Sequence, residues 1–358
     1  MDQARLDRAI AAYTVEKTLV SQQMLALALE PPRQELMRRI NFAPRGTSAI
    51  VDMRKFLVSK LRDYPELNEV DRDLKHLLVS WFNRGFLEVR QINWRTPAVI
   101  LEKLIEYEAV HEIKGWEDLR RRLEGDRRCF AFFHPALPDE PLIFVEVALV
   151  KGLASAVQPL LDLNSRKLDP TKADTAIFYS ISNCQEGLKG ISFGNFLIKQ
   201  VVAELSAEFP NLKHFSTLSP VPGFMKWLDT VKGRAGKLSA GKTTKVKKFL
   251  QEEGWHLRDE MPEQLRDYLE HLMAHYLVNE KRNDRPLDPV SRFHLGNGAR
   301  LERINWLGDI SPNGLKQSAG MLVNYYYNLK DIEKNHEAYV NEKKVVASAQ
   351  VIALTKLK

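Results

Sequence analysis

Cysteine is scarce in this sequence, and its two cysteines stand alone. Cys129 and Cys184 have neither CxxC spacing nor histidine-rich neighbours. This pattern is not that of a disulfide-stabilised secreted domain or of a cysteine metal site. It favours a reducing compartment.

Long apolar runs are missing as well. No segment approaches the roughly 20 consecutive apolar residues of a membrane span, and the N-terminal segment lacks the apolar core of a signal peptide. The sequence contains no internal repeat and no low-complexity tract. We therefore expect a cytoplasmic protein that has no membrane partner.

The composition is otherwise that of a folded globular protein. Hydrophobic residues make up 44% and charged residues 28% of the 358 positions, a length that usually divides into two domains. The formal net charge of +7 favours an anionic partner. Nucleic acid, an anionic membrane surface and a polyphosphate ligand would each satisfy this charge, so charge alone does not choose among them.

The first 87 residues are predicted to be helical. Apolar positions recur at three- and four-residue steps in LVSQQMLALAL and in LKHLLVSWFNRGFL. Breaks at Pro31-Pro32, Pro44 and Pro65 divide the segment into several short helices. Because the segment carries apolar stripes and scattered charges only, we interpret residues 1–87 as an oligomerisation or packing domain rather than a ligand site, separate from residues 88–358.

The pattern then changes to that of a mixed domain. β-branched and aromatic residues dominate RRCFAFFHP, PLIFVEVALVKG and TAIFYSIS, which predicts a hairpin and a third strand at residues 175–182. The periodic helix NFLIKQVVAELSAEF and the short strand HFSTLS follow. Residues 224–282 are predicted to be helical, and one amphipathic helix, HEAYVNEKKVVASAQVIALTK, is predicted to close the chain. The fold class is therefore α+β.

A glycine-containing loop precedes the predicted helix NFLIKQVVAELSAEF. It reads Lys189-Gly190-Ile191-Ser192-Phe193-Gly194-Asn195. Its glycines let the backbone approach an anion, the helix start offers free N–H groups, and Lys189 adds a positive charge. The same residues also fit an ordinary strand-to-helix turn, and alone they support a pyrophosphate site and a turn equally.

Ser219 lies in the string STLSPVPGF, just past a predicted strand. Two prolines and a glycine fix the backbone there, and rigid presentation suits a catalytic hydroxyl. A serine before proline is more commonly a simple turn residue. A catalytic role therefore needs a second group that converges on Ser219.

His294 lies between Phe293 and Leu295. Its apolar neighbours partly desolvate the imidazole, and the following Asn-Gly-Ala turn supplies polar contacts. A histidine in such a stretch is also commonly a buried structural residue. His111 and His134 remain candidates with less local context.

One string has the form of a nucleotide-binding P-loop. Residues 236–243, GKLSAGKT, fit GxxxxGK[ST], but the preceding WLDTVKGRA is helix-like and no apolar strand ending in Asp follows. We interpret residues 232–248, with seven basic and no acidic side chains, as a solvated basic loop. The run lacks interleaved aromatics, so it does not indicate a nucleic acid partner.

Several strings together resemble the malonyl-CoA decarboxylase family. They are AIFYSIS, QEGLKGISFGNFLIKQVVAEL, FPNLKHFSTLSPVPGFMKWL, DPVSRFHLGNGARLERINWLGDIS and GLKQSAGMLVNYYY. The similarity extends from about Trp81 to the C-terminal helix, and SPVPGF and FHLGNGA are its most specific strings. The resemblance implies a helical N-terminal domain used in self-association, followed by a mixed-sheet catalytic domain of the GNAT acetyltransferase type.

The resemblance also implies site residues. The family's catalytic serine and histidine fall on Ser219 and His294, and a lysine that is important in the family falls on Lys103. Residues 189–195 take the place of the loop that binds the coenzyme A pyrophosphate. The chain departs from the family pattern in its GxxxG glycine spacing and in Ser192, where a glutamate is expected.

The implied reaction converts malonyl-CoA to acetyl-CoA and carbon dioxide without a metal or an organic cofactor. Loss of carbon dioxide from a malonyl thioester leaves an enolate whose charge the thioester oxygen holds. The hypothesis is that His294 gives the proton and that Ser219 acts as its partner and proton acceptor. Two alternatives stay open: an acyltransferase that passes an acyl group from coenzyme A to an amine, and a non-catalytic acyl-CoA-binding regulator.

Overall fold

The computed structural model describes residues 3–191, 197–231, 239–258 and 263–356. Its α+β class, with a helical N-terminal region before a mixed sheet, confirms the prediction. The chain divides into two compact units. The helical unit comprises Met1–Glu88, Phe133–Leu142 and Gln185–Gly194, and the sheet unit comprises Val89–Phe132, Ile143–Cys184 and Asn195–Lys358.

The predicted breaks at Pro31-Pro32, Pro44 and Pro65 each separate two N-terminal helices, and a further break at Lys17-Thr18 was not predicted. The helices are α1 (Gln3–Glu16), α2 (Leu19–Leu29), α3 (Pro32–Phe42), α4 (Gly46–Lys60) and α5 (Asn68–Trp81). Thr18 starts α2 through a capping box with Ser21. Pro32 occupies the first turn of α3, where a missing backbone N–H costs no hydrogen bond.

The remaining helices are distributed through the rest of the chain. They are α6 (Ala98–Tyr107), α7 (Trp116–Arg122), α8 (Gln158–Leu161), α9 (Leu197–Glu208), α10 (Phe224–Thr230), α11 (Ala240–Leu250), α12 (Glu263–Val278), α13 (Pro289–Gly296), α14 (Pro312–Ser318), α15 (Ile332–Glu342) and α16 (Ala349–Leu354).

A mixed sheet forms the centre of the sheet unit. The strands are β1 (Glu88–Ile92), β2 (Arg127–Phe133), β3 (Ile143–Val150), β4 (Thr175–Asn183), β5 (His214–Thr217), β6 (Lys281–Arg282), β7 (Arg285–Pro286), β8 (Arg300–Asn305) and β9 (Leu322–Tyr326). Except for the separate β6–β7 hairpin, they are ordered β1-β2-β3-β4-β5-β9-β8. The predicted β2–β3 hairpin and the third strand, β4, are confirmed.

The pair β4 and β5 is parallel, whereas β3 with β4 and β5 with β9 are antiparallel. The parallel pair needs a crossover, and α9 provides it. This order of strand, helix and strand confirms the order that the sequence predicted for TAIFYSIS, NFLIKQVVAELSAEF and HFSTLS. Buried residues on β3, β4, β9 and the segment after β5 share one apolar cluster, which includes Ala148, Ile177, Leu218 and Leu322. The packing fixes the ends of β5 and β9.

The single closing helix predicted for residues 336–356 is wrong. Lys343 adopts φ +56° and ends α15. The next residues run beside β8, where Leu301 N donates to Val346 O at 2.9 Å and Ser348 N donates to Leu301 O at 2.9 Å. Ser348 then caps α16. The amphipathic pattern predicted a continuous helix here. It did not show that the β-branched residues Val345 and Val346 belong to a segment that runs beside a strand.

Candidate active site

Ser219 lies just beyond β5, on the turn that the sequence predicted to be rigid. Its N–H donates to Val323 O at 2.8 Å, and its carbonyl accepts from Val323 N at 2.9 Å, so the residue is tied to β9. Pro220 and Pro222 restrict the chain that follows. Ser219 is 6% exposed, and these constraints orient its hydroxyl.

His294 lies in the last turn of α13 and is 2% exposed. The helix starts after Asp288, whose carboxylate accepts from the Ser291 N–H at 2.8 Å as an N-cap. His294 Nε2 lies 3.1 Å from Ser219 Oγ. The fold thus brings together two side chains that are 75 positions apart in the sequence.

Hydroxyl groups set the tautomer of His294. The Ser219 hydroxyl donates to Thr217 Oγ1 at 2.8 Å. With that proton in use, Nε2 carries the imidazole proton and donates it to Ser219 Oγ. Nδ1 then accepts from the Tyr327 hydroxyl at 2.8 Å. Tyr325 stacks on the imidazole with ring centroids 4.6 Å apart and planes at 23°.

The electrostatics of this group keep the imidazole neutral. Burial lowers the pKa of His294 to about 3, because a charged imidazolium would lose its hydration there. Burial likewise raises the pKa of the Tyr325 and Tyr327 hydroxyls, so neither carries a compensating negative charge. An imidazolium formed at His294 would therefore give up its proton more readily than an ordinary imidazolium.

Ser219 and His294 border a cavity of about 270 Å³. Among the described residues, its lining contains no charged side chain. The lining residues are Val110, Ile143, Phe178, Tyr179, Ile181, Asn183, Ser219, Pro220, Pro289, Val290, Phe293 and His294. A ligand group that enters therefore meets a few polar atoms set in apolar walls, which is the usual character of a small-molecule site.

The N-terminus of α13 lies at the wall of this cavity, where Pro289 and Val290 line it. Asp288 is fully buried, and its Oδ2 has no hydrogen-bond partner in the described part of the chain. Burial raises the pKa of Asp288 to about 6, although hydrogen bonds from backbone amides of α13 oppose that effect. The Ser291 hydroxyl contacts the Tyr325 hydroxyl at 2.5 Å. The helix start thus positions the ring that stacks on His294.

The predicted phosphate loop falls partly outside the described residues. Those not described are Ser192, Phe193, Gly194 and Asn195. The described part, Lys189, Gly190 and Ile191, belongs to the helical unit. Gly190 adopts φ +77°, a conformation that favours glycine, and it is exposed together with Lys189, whereas Ile191 is buried.

The other candidate residues lie elsewhere. Lys103 is half-buried on α6 and is not among the described residues that line the cavity. His111 is buried beside Val110 and does not line the cavity either. His134 belongs to the helical unit, where its Nε2 lies 3.0 Å from Trp81 O.

The sequence alone did not indicate Thr217, Tyr325 or Tyr327 as site residues. Alternation along a strand was the available signal: Thr217 and Ser219 are two residues apart at the end of β5, and Tyr325 and Tyr327 are two residues apart at the end of β9. Residues at this spacing face the same side of a sheet. The sequence did not show that this side meets α13.

In the string that fits GxxxxGK[ST], the described residues 239–243 begin helix α11, so the loop predicted for residues 232–248 is wrong from Ala240 onwards. The first three residues of the string lie outside the described residues. Ser239 is the N-cap of α11 and accepts from Lys242 N, and the Thr243 hydroxyl donates to Ser239 O at 2.9 Å. The preceding segment includes the end of α10, which confirms a helix rather than a strand before the string.

The described residues contain neither a candidate metal site nor a candidate membrane-spanning helix. In residues 3–191, 197–231, 239–258 and 263–356, no group of three or more His, Cys, Asp or Glu side chains is placed to hold a metal ion. Over the same ranges, no helix combines the length and the apolar character that crossing a membrane requires.

Comparison with known sequences covers nearly the whole chain. The sequence model of the malonyl-CoA decarboxylase N-terminal domain matches residues 1–82, and that of the C-terminal domain matches residues 85–358. The mitochondrial malonyl-CoA decarboxylase of Anser anser anser is 39% identical in a gapped alignment 350 positions long, which covers 91% of this chain and 69% of the relative. The mitochondrial enzyme of Mus musculus is 37% identical in a gapped alignment of 365 positions, which covers 94% of this chain and 73% of the relative.

Solved structures agree. The crystal structure of malonyl-CoA decarboxylase from Rhodopseudomonas palustris is 51% identical with a TM-score of 0.93, covering 98% of this chain and 86% of that one. The structure from Agrobacterium vitis is 51% identical with a TM-score of 0.94, covering 100% and 88%. On the strength of the sequence and structural matches together, the chain belongs to the malonyl-CoA decarboxylase family.

Proposed function

We propose that this chain converts malonyl-CoA to acetyl-CoA and carbon dioxide, with Ser219 and His294 as the catalytic residues. The observation that carries the proposal is the 3.1 Å contact between Ser219 Oγ and His294 Nε2 at the wall of an apolar cavity. Membership of the family supports malonyl-CoA as the substrate, because the relatives are malonyl-CoA decarboxylases by name.

The apolar lining suits a carboxylate that must leave as neutral carbon dioxide. As the C–C bond breaks, negative charge moves from the carboxylate to the thioester oxygen. A cationic partner on the carboxylate would stabilise the ground state more than the transition state. The described lining residues supply no such cation. The Ser219 hydroxyl offers a donor for the developing enolate when it turns from Thr217 Oγ1 towards the substrate.

The reaction consumes one proton, and His294 supplies it. A substrate carboxylate in the cavity favours the imidazolium, because an opposite charge nearby stabilises the charged form. Once carbon dioxide has left, the low pKa of His294, about 3, drives the proton to the enolate carbon and restores the thioester. Ser219 Oγ accepts the Nε2 proton while its own hydroxyl proton moves to the enolate carbon. The Tyr327 hydroxyl accepts from Nδ1–H while the ring is charged. The thioester itself holds the electrons, so the mechanism uses no metal or organic cofactor.

Recognition of coenzyme A is assigned to Lys189, Gly190, Ile191, Ser192, Phe193, Gly194 and Asn195, with Lys103 as a further contact. The exposed Lys189 and the positive φ of Gly190 support an anion site in the described part of the loop. Ser192 in place of the expected glutamate leaves this loop without a carboxylate. A Lys103→Met variant tests the further contact through its KM for malonyl-CoA.

Incubation of the purified chain with malonyl-CoA and no second substrate tests the function. We expect acetyl-CoA and carbon dioxide in equal amounts, with one proton consumed for each turnover. After treatment of the protein with a chelator, the rate should be the same with and without added divalent metal ions.

Two results would replace the proposal. Acyl transfer that requires an added amine would identify an acyltransferase. Saturable binding of malonyl-CoA without turnover would identify a regulator. The buried Ser219 and His294 pair argues against the second result, since binding alone does not require it.

We also propose that residues 1–87 form a self-association domain and that residues 88–358 form the catalytic domain. On α2 the side chains of Val20, Met24 and Leu27 follow helical spacing and are 64%, 52% and 57% exposed. An exposed apolar stripe of this kind is typical of a protein contact. Light scattering should show an oligomer that dissociates in Val20→Ser with Leu27→Ser, but not in the matched control Gln22→Ser. A monomeric parent would overturn the assignment.

We also propose that the protein is located in a reducing compartment such as the cytoplasm. Cys129 and Cys184 are both buried, and neither forms a disulfide bond, which supports a reduced state. Cell fractionation tests the location.

A further inference from the structure

Arg54, in the middle of α4, is a buried arginine with an unusual set of acceptors. The residue is 1% exposed, and its Nε donates to Asp71 Oδ1 at 2.8 Å. Its other guanidinium nitrogens donate to Gly187 O at 2.6 Å and to Lys189 O at 2.9 Å. One planar group thus fixes the chain direction on both sides of Leu188.

The same stretch of chain packs directly against α4. A Cβ atom on Gly187 would lie 2.1 Å from Val51 O, so only glycine permits this approach. An ion pair between Lys55 and Glu186, with 3.4 Å between Nζ and Oε2, adds a second connection. Residues 186–189 are therefore held by the helical unit itself.

Asp71 connects this anchor to a second cation. Its other oxygen, Oδ2, lies 2.8 Å from Lys75 Nζ, and Lys75 is 46% exposed. Burial acts to raise the pKa of Asp71, but hydrogen bonds from Lys75 and Arg54 outweigh burial and lower it. Lys75 Cε would lie 3.9 Å from a Cβ on Gly190, so the lysine stem passes beside the exposed turn.

The exposed turn has the features of an anion site. Gly190 adopts φ +77°, and among the described residues its N–H has no hydrogen-bond partner. Lys75 and Lys189 flank it with two positive charges. A backbone N–H between two ammonium groups suits a phosphate.

We propose that the helical unit builds part of the coenzyme A phosphate site: Lys75 contacts a phosphate directly, and Arg54 is the positioning residue that holds Gly187–Gly190 in the binding conformation. The proposal rests on malonyl-CoA being the substrate. It gives the N-terminal helices a role in substrate recognition that is separate from self-association. The ligand is a phosphorylated acyl thioester carrier, and the same site would not recognise the pantetheine arm.

Two substrates separate this role from a general structural one. Malonyl-CoA carries the phosphates, and the malonyl thioester of pantetheine does not. Arg54→Lys keeps a charge beside Asp71 but cannot reach both carbonyls, Gly187→Ala pushes the loop from α4, and Lys75→Met removes the exposed charge. Each variant should raise the KM for malonyl-CoA by about fivefold or more, the order expected when a charge-assisted contact is lost. The kcat for malonyl-CoA and both constants for the pantetheine substrate should stay within twofold.

Arg121→Lys is the matched control. Arg121 is 4% exposed and is paired with Asp126 at 2.7 Å, and it contacts Asp162 O and Ser165 rather than the loop. This variant should lose thermal stability comparable to Arg54→Lys without changing the ratio of the two KM values.

The proposal is overturned if Lys75→Met, a change at an exposed position, keeps the parent KM for malonyl-CoA. It is also overturned if the three variants weaken both substrates equally. If the parent turns over neither substrate, the proposed function is wrong. Calorimetric titration with coenzyme A and with pantetheine then still tests the phosphate site. The variants should bind coenzyme A more weakly than the parent does and should bind pantetheine as the parent does.

Discussion

The Tyr327 hydroxyl lies 2.8 Å from His294 Nδ1, the position that a carboxylate occupies beside the catalytic histidine of a Ser-His-Asp triad. A carboxylate would stabilise the imidazolium. A neutral hydroxyl donates to the uncharged ring and accepts from the charged ring. The arrangement orients His294 without raising its basicity, which suits a group that must give its proton away.

Replacement of Tyr327 by phenylalanine should lower kcat about tenfold, because the imidazole loses the bond that fixes its tautomer. Stability should fall by about 1–2 kcal/mol, since Nδ1 is left buried without a partner. The KM for malonyl-CoA should hardly change, as Tyr327 does not line the cavity in the described residues. Steady-state kinetics and urea unfolding measure these effects.

The neighbouring Tyr326 provides the control for that variant. Its hydroxyl makes the same kind of contact, 2.8 Å from His214 Nδ1, at an exposed position. Tyr326→Phe should leave kcat unchanged. An equal loss of kcat in both variants would contradict a specific role for Tyr327.

His294 should make the fold sensitive to acid. Its pKa in the folded chain, about 3, lies below the ordinary value of 6.5. The unfolded chain therefore binds a proton first, and stability is lost as the pH falls from about 6.5 towards 3. At pH 4.5 this loss amounts to roughly 2–3 kcal/mol.

A His294→Asn variant should lack that loss. Chemical unfolding at pH 7.5 and 4.5 measures it as a smaller difference between the two pH values than in the parent chain. The exposed His214→Asn change serves as a control and should keep the parent difference. Equal pH dependence of the parent and His294→Asn would show that His294 is not buried in a neutral state.

Substrate binding should bring a proton to His294. A thioether analogue of malonyl-CoA keeps the carboxylate but has no thioester carbonyl to accept electrons, so it binds without reacting. Titration calorimetry in buffers of different ionisation enthalpy should show net proton uptake that grows as the pH falls from about 8 to 5.5. His294→Asn should remove the uptake. Uptake that persists in this variant would assign the proton to another group.

Asp288 should cost stability at neutral pH. Its pKa in the fold, about 6, lies above the ordinary 3.8, so the buried carboxylate becomes more unfavourable as the pH rises through that interval. Asp288→Asn keeps the N-cap acceptor and removes the charge. We expect a gain of roughly 1–3 kcal/mol at pH 8 and little gain at pH 4, measured by unfolding at both pH values.

Asp126→Asn gives the opposite case. Asp126 is paired with Arg121, which helps to lower its pKa although burial acts to raise it. The same chemical change there should reduce stability at pH 8. A loss of stability at pH 8 in Asp288→Asn would contradict an unfavourable buried charge.

Local pattern predicted most of the fold. Apolar periodicity indicated the helices up to Trp81. Runs of β-branched and aromatic residues indicated the strands β2, β3 and β4, which are buried in the sheet. The closing segment failed because an amphipathic pattern fits both a helix and a chain that runs beside β8, and only the contact with Leu301 distinguishes them.

The site was less predictable than the fold. Ser219 and His294 were each plausible locally, but no local signal pairs residues on β5 and α13, and the family resemblance had to supply the pair. Tyr327 and Thr217 needed the three-dimensional order of β5 and β9. Arg54 gave no signal, because its partners, the carbonyl groups of Gly187 and Lys189, carry no side-chain information.

The most direct test of the central claim is the turnover of malonyl-CoA by Ser219→Ala, His294→Ala and the double variant, with folding checked by circular dichroism. If the two side chains act as one unit, each single change should lower kcat by roughly 100-fold or more, and the double variant should be no slower than the slower single variant. Parent-like turnover in either folded single variant would contradict the claim.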